Sequence, residues 1–220
     1  MLPVGSTPLI TCIGGSSRAD STTERALRVT ARIVETLGAR VEVFAGQELI
    51  LPMYAPENPE RSPTARALIQ SLRACDGVIL ASAGYHGAIS GLVKNALDYT
   101  EDMAKDASPY LHGRAVGCIA VANRWQMTGT TLVSLRSVVH ALRGWPTPLG
   151  VAINATSEAF NNQGQCIVPD LERNLRTLAE QVIEFARMRS FFERMLPQVQ
   201  PGYVEDALMN FYGAVPEHLQ

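Results

Sequence analysis

Ile10-Thr11-Cys12-Ile13-Gly14-Gly15-Ser16-Ser17-Arg18-Ala19-Asp20-Ser21 is an apolar strand running straight into a turn of glycines, hydroxyls and one arginine. From Thr22 a helical period follows through Ala26, Thr30, Ile33, Val34 and Leu37, and Gly38 ends it. Backbone N–H groups at a helix start are unpaired, and the helix dipole favours negative charge there. Ser16 and Ser21 offer hydroxyls, Arg18 offers a charged fork, and Thr22 and Thr23 stand at the helix start. The stretch predicts a phosphate-bearing ligand at this turn. The alternative is simple capping of the helix by Ser21 or Thr22.

Working outward, apolar runs alternate with helical periods. Leu9–Ile13 reads as strand one and Arg40–Ala45 as strand two. Leu51–Arg61 carries Pro52, Pro56 and Pro59 and reads as a rigid excursion. A helix over Ser62–Ala74, a strand over Gly77–Ala81 and a helix over Gly91–Asp102 come next. Then come a strand over Ala115–Ala122, a helix over Gly129–Leu142, a strand over Leu149–Ile153 and a long helix from Pro169. Near-continuous apolar strands are what a parallel sheet covered on both faces requires. The fold expected is α/β: a doubly wound five-stranded parallel sheet of order 2-1-3-4-5 in three α/β/α layers. Ligands of such sheets bind beyond the strands' carboxyl ends, beside strands one and three. The loops Gly14–Ser21, Ser82–Ser90 and Ala122–Thr128 should meet there.

Bulk properties exclude several classes. At 220 residues, with 46% hydrophobic and 18% charged residues, the chain suits one globular core. A net charge of −2 gives no electrostatic reason to expect nucleic acid or an anionic membrane as partner. No apolar run approaches the roughly 20 residues needed to span a bilayer. Met1–Ser6 shows no basic region followed by an apolar run, so a cytoplasmic location is expected. Cys12, Cys75, Cys118 and Cys166 have no C-x-x-C spacing and read as reduced thiols. His86, His112, His140 and His218 make no metal-ligand spacing, so no metal is expected. G-x-G-x-x-G, the P-loop and G-x-S-x-G are all absent, which leaves a mononucleotide-type site.

The segment Ser82-Ala83-Gly84-Tyr85-His86-Gly87, followed by Gly91-Leu92-Val93-Lys94-Asn95-Ala96-Leu97-Asp98, resembles the signature of the NADPH-dependent FMN reductase family. The family's first loop, Gly-Ser-x-Arg-x-x-Ser, is matched by Gly15, Ser16, Arg18 and Ser21. The resemblance spans Leu9 to Phe185 and implies a flavodoxin-like fold, bound FMN, NADPH as donor and a homodimer or homotetramer. It places Ser16, Arg18, Ser21, Thr22 and Thr23 around the FMN phosphate. Ala83, Gly84, Tyr85, His86 and Gly87 would run beside the isoalloxazine ring, with the loop Asn123–Gly129, including Asn123, Arg124 and Trp125, closing over its other edge. The chain departs from the family at Ala83, where proline is usual, and at Gly84, where an acidic residue is usual. Arg124 and Trp125 are bulky replacements in a loop that is often glycine-rich. Residues 1–186 are expected to form the FMN-binding domain. Residues 187–220, with Phe191, Phe192, Phe211 and Tyr212, are expected as an extension packing on its own domain or on a partner subunit.

The activity implied by the resemblance is hydride transfer from NADPH through FMN to a small acceptor such as a quinone, an azo compound or free flavin. No side chain is needed as an acid or base, because the flavin N5 carries the hydride. Three alternatives compete. An electron carrier would be more acidic than this chain. A biosynthetic flavoenzyme specific for one small molecule would suit the departures at Ala83, Gly84, Arg124 and Trp125. A hydrolase using Ser16 would need a D-x-x-H partner near His218, where Pro216 and Glu217 stand instead.

Overall fold

A computed structural model of the chain describes residues 7–195. Its elements are β1 (Leu9–Gly15), α1 (Thr22–Thr36), β2 (Arg40–Ala45), α2 (Pro63–Ala74), β3 (Gly77–Tyr85) and β4 (Ala88–Ile89). These are followed by α3 (Gly91–Asp98), β5 (Ala115–Ala122), α4 (Trp125–Ala141), β6 (Trp145–Pro146), β7 (Val151–Asn154) and α5 (Pro169–Met195). The strands run β2-β1-β3-β5, and both β6 and β7 pair with β5, β6 near its start and β7 near its end. The five longer strands, β2, β1, β3, β5 and β7, are parallel and stand in the expected order. Two short strands, β4 and β6, of two residues each, bring the sheet to seven, and β4 pairs antiparallel to β3.

Period-two alternation divides the core between the two faces. Ile10, Cys12, Ile79, Ala81, Ile119 and Val121 face α1 and α5, meeting Leu27, Val34, Leu178 and Val182. Val78, Leu80, Val116 and Cys118 face α2, α3 and α4, meeting Leu68, Leu72, Leu97 and Leu135. Both sets are apolar, so each strand reads as one continuous hydrophobic run. Full burial of each valine, leucine or isoleucine among them contributes about 1.5–3 kcal/mol. Three helices, α1, α2 and α3, start at serine caps: Ser21 Oγ accepts from Glu24 N–H at 3.2 Å, Ser62 Oγ from Ala65 N–H at 3.1 Å and Ser90 Oγ from Val93 N–H at 3.3 Å.

Three boundaries lie about four residues from those the sequence predicts. β3 continues past Ala81 to Tyr85 because β4 folds back on it, pairing Gly84 with Ile89 and Tyr85 with Ala88. His86 and Gly87 both have positive φ, 52° and 83°, which is the two-residue hairpin turn whose twist matches its strands. α4 begins at Trp125 rather than Gly129, because the extended Arg124 offers its carbonyl to Met127 and Thr128 N–H at 3.0 and 3.1 Å. α3 stops at Asp98 and tightens into a 3-10 turn over Tyr99–Met103.

The proline-rich excursion is pinned to that turn. Asn95 Oδ1 accepts from Tyr54 N–H at 2.8 Å, and Pro52 O accepts from Asn95 Nδ2 at 3.0 Å and from Tyr99 OH at 2.9 Å. The expected extension begins inside α5, which is unbroken to Met195. Residues 196–220, Phe211 and Tyr212 among them, lie outside the described residues. Among the described residues no helix is long and apolar enough to cross a membrane.

Candidate functional site

The carboxyl ends of β1, β3 and β5 open onto one cleft of about 370 Å³, a size ordinary for a small-molecule site. Its first wall is the β1–α1 turn. Gly14 and Gly15 let this turn form: a Cβ at Gly14 would lie 2.2 Å from Ala81 O, and one at Gly15 would lie 2.8 Å from Gly46 N. Gly15 also holds φ at +109°, a conformation that side chains disfavour. Beyond it, Ser16 Oγ accepts from Arg18 N–H at 3.3 Å and Ser21 caps α1. The N–H groups of Thr22 and Thr23 find no acceptor among the described residues, as expected in a first helical turn.

The charges around this turn leave one cation uncommitted. Asp20, at φ 55°, is ion-paired to Arg25, whose hydrogen bond holds its carboxyl below the usual range. Glu24 is paired to Arg28 at 2.8 Å. Arg18 has no ion pair among the described residues and lines the cleft. Five hydroxyl-bearing residues, two free N–H groups and an unpaired guanidinium suit the doubly charged end of a mononucleotide.

The second wall is the end of β3. Ala83, Gly84 and Tyr85 line the cleft as strand residues. Ser82 Oγ clips the hairpin to α3 by accepting from Ser90 N–H at 3.0 Å. Gly84 lies against α4, where an added Cβ would sit 2.2 Å from Thr131 Oγ1. This contact accounts for the glycine where the resemblance leads one to expect an acidic residue. The third wall is Asn123 and Met127, with Ala155 after β7. Met127, Ala122, Val121 and Ala155 add an apolar surface of the kind a flat ring system needs.

Of the residues singled out from sequence, the cleft brings together Ser16, Arg18, Ser21, Thr22, Thr23, Ala83, Gly84, Tyr85 and Asn123. It does not include His86 and Gly87, which form the tip of the hairpin turn, or Arg124 and Trp125, which stand exposed where α4 begins. Ser17, Val121, Ala122, Met127 and Ala155 line it without having been singled out. Starting α4 at Trp125 would have turned Met127 inward by helical period, whereas the alanines carry no chemical signal. The thiols take no part. Burial keeps Cys12 and Cys75 protonated and pushes Cys118 up to about 12. Among the described residues no cluster of metal-ligating groups occurs.

Residues 8–158 match the family model described as NADPH-dependent FMN reductase. An FMN-dependent NADPH-azoreductase of Staphylococcus aureus is 27% identical over 179 residues, covering 78% of this chain and 91% of that protein. Among solved structures, the flavoenzyme NAD(P)H:(acceptor) oxidoreductase FerB from Paracoccus denitrificans superposes with a TM-score of 0.68 at 16% identity, covering 83% of this chain and 99% of that one. A WrbA-like flavodoxin from Agrobacterium tumefaciens gives 0.57 at 18% identity, covering 83% and 99%. At these identities the two structures speak to the fold, which is flavodoxin-like.

Proposed function

The chain belongs to the NADPH-dependent FMN reductase family, and on that premise we propose that it reduces a small acceptor, a quinone, an azo compound or free flavin, at the expense of NADPH. FMN is the cofactor and NADPH the cosubstrate of this oxidoreductase. When bound, FMN supplies the hydride chemistry. The protein's part is to hold, orient and shield.

The observation that carries the reading is the pairing of two chemically different walls in one cleft. Arg18, Ser16 and the start of α1 present donors to a phosphate, while Met127, Ala122 and Ala155 present apolar surface to a ring. Ser21 contributes as the cap that fixes the α1 N-terminus, and its hydroxyl proton remains free to donate. Ala83, Gly84 and Tyr85 offer strand backbone along the ring's edge. The exposure of Arg124 and Trp125 at the start of α4 supports a role in receiving the dinucleotide or an aromatic acceptor. His86 and Gly87 serve the site through the hairpin turn that sets Tyr85. The four cysteines are all free thiols, which supports a reducing compartment such as the cytoplasm. The assembly that goes with this reading is a homodimer or homotetramer.

The test is titration of FMN against the parent protein and Arg18→Gln. Losing a charge-assisted hydrogen bond of about 1.5–3 kcal/mol weakens FMN by roughly ten- to a hundredfold. The stability of the FMN-free form should stay within about 0.5 kcal/mol, since Arg18 is exposed and unpaired. Unchanged FMN affinity, or no NADPH oxidation by the parent with any of the three acceptor classes, would refute the reading.

A further inference from the structure

Gln47 reaches the β1–α1 turn from outside the cleft. It lies in the 3-10 turn Gly46–Leu49 that follows β2, stands exposed and does not line the cleft. Parallel pairing sets Ala45 beside Gly14, so the end of β2 delivers Gln47 to the turn. Gln47 Nε2 donates a hydrogen bond to Ser17 O, 30 residues earlier in the chain. The carbonyl of Ser17 and the N–H of Arg18 belong to one planar trans peptide and point opposite ways. That N–H donates to Ser16 Oγ at 3.3 Å, and Ser16 Oγ donates to Arg18 O at 3.3 Å. Both contacts are long for hydrogen bonds, so the turn by itself holds this peptide weakly. Beyond Arg18, Asp20 is ion-paired to Arg25. The backbone that carries Arg18 is therefore anchored on either side, by Gln47 and by Arg25.

We propose that Gln47 is a positioning residue for the phosphate of a bound mononucleotide. Its hydrogen bond to Ser17 O fixes the Ser17–Arg18 peptide, and with it the backbone from which the Arg18 side chain lines the cleft. The proposal rests on reading this cleft as the FMN site, and it gives a part to a residue that meets neither the phosphate nor the ring. The side-chain chemistry suits the task. An amide supplies a donor to the carbonyl and adds no charge beside the phosphate or the Arg18 guanidinium. A guanidinium whose backbone is already fixed loses less freedom when the anion arrives, so part of the ordering cost of binding is met by the fold. Without the amide donor, the Ser17–Arg18 peptide keeps only the two long contacts within the turn, and Arg18 is presented in more than one way.

The test compares FMN with riboflavin, which has the same ring and no phosphate, by flavin-fluorescence titration of the full chain. Gln47→Met keeps the length of the side chain and removes the donor, and at an exposed position it leaves the fold intact. The Kd for FMN should rise about three- to tenfold, the loss of one neutral hydrogen bond, while that for riboflavin stays within about twofold. In an Arg18→Gln background the same substitution should change the FMN Kd by less than about twofold, because the group that Gln47 positions is gone. Equal FMN affinity in parent and Gln47→Met, an equal loss for riboflavin, or a full loss that persists beside Arg18→Gln would each overturn the proposal and leave the FMN site standing. A parent that binds FMN no more tightly than riboflavin would refute the phosphate reading of the turn, and the proposal with it.

Discussion

A methyl group at position 84 has no room. The Cβ of Gly84→Ala would lie 2.2 Å from Thr131 Oγ1 and 3.2 Å from both Thr131 Cβ and Ala122 Cβ. Thr131 is fully buried, and its hydroxyl has no hydrogen-bond partner among the described residues. The oxygen is therefore caged against the strand with nowhere to retreat. Relief must come from moving the end of β3 or α4, and Gly84→Ala should cost about 2–3 kcal/mol, the upper part of the overpacking range. Thr131→Ala removes the offending oxygen. It loses a buried methyl but also an unpaired hydroxyl, so its own cost is about 1 kcal/mol. In that background the new methyl still lies 3.2 Å from two Cβ atoms, which must give by a few tenths of an ångström, and Gly84→Ala should cost about 1 kcal/mol. The predicted coupling between the two positions is about 1.5–2 kcal/mol. Urea unfolding of the four FMN-free proteins completes the cycle. Because Gly84 backbone lines the cleft, FMN titration should show the same pattern, with affinity lost in Gly84→Ala and largely regained in the double variant. Equal cost of Gly84→Ala in both backgrounds would refute the steric account of this glycine.

Two other substitutions probe what holds the scaffold around the site. Asp102 accepts from Arg61 Nε at 2.7 Å and Nη2 at 2.8 Å, while the guanidinium lies 4.9 Å from the Tyr54 ring centre and 5.5 Å from that of Tyr99. Asp102→Asn should cost about 2 kcal/mol at neutral pH. The hydrogen bond from Arg61 holds the Asp102 carboxyl below its usual value. The stabilisation is therefore complete above the ordinary aspartate range and lost as pH falls through the lowered folded value. The gap between parent and variant in denaturant midpoint should close in acid; a gap that widens there would contradict the ion-pair reading. At the opposite end of the sheet Arg114 is buried and bonds only carbonyls: Cys75 O at 3.0 Å, Arg73 O and His112 O at 3.1 Å, and Tyr110 O at 3.4 Å. It closes the carboxyl end of α2, and Arg114→Met should cost about 3 kcal/mol, or about 6–12 °C in Tm, with FMN affinity unchanged. A loss below about 1 kcal/mol would mean that water replaces the guanidinium at those carbonyls.

The alternation of apolar runs with helical periods was enough to read the layer architecture, while the strand order came from analogy with doubly wound sheets and not from periodicity. An apolar strand between amphipathic helices has few places to go in a doubly wound sheet. The β1–α1 turn was equally legible, because the positive φ of Gly15 and the cap at Ser21 are local backbone geometry, although the room that Gly14 and Gly15 leave is for Ala81 and Gly46, which are distant in sequence. Even the ambiguity over Ser21 was real, since its hydroxyl does cap α1. Tertiary structure decided the other two walls. β3 reaches Tyr85 only because β4 returns to pair with it, and Met127 faces the cleft only because α4 starts at the carbonyl of Arg124. Gly84 is glycine because of Thr131, a residue 47 positions further on that shares no local period with it. Local propensities record what a residue does to its own backbone. They hold no record of which distant atom will arrive within 3 Å, and that distance is set only when the layers close.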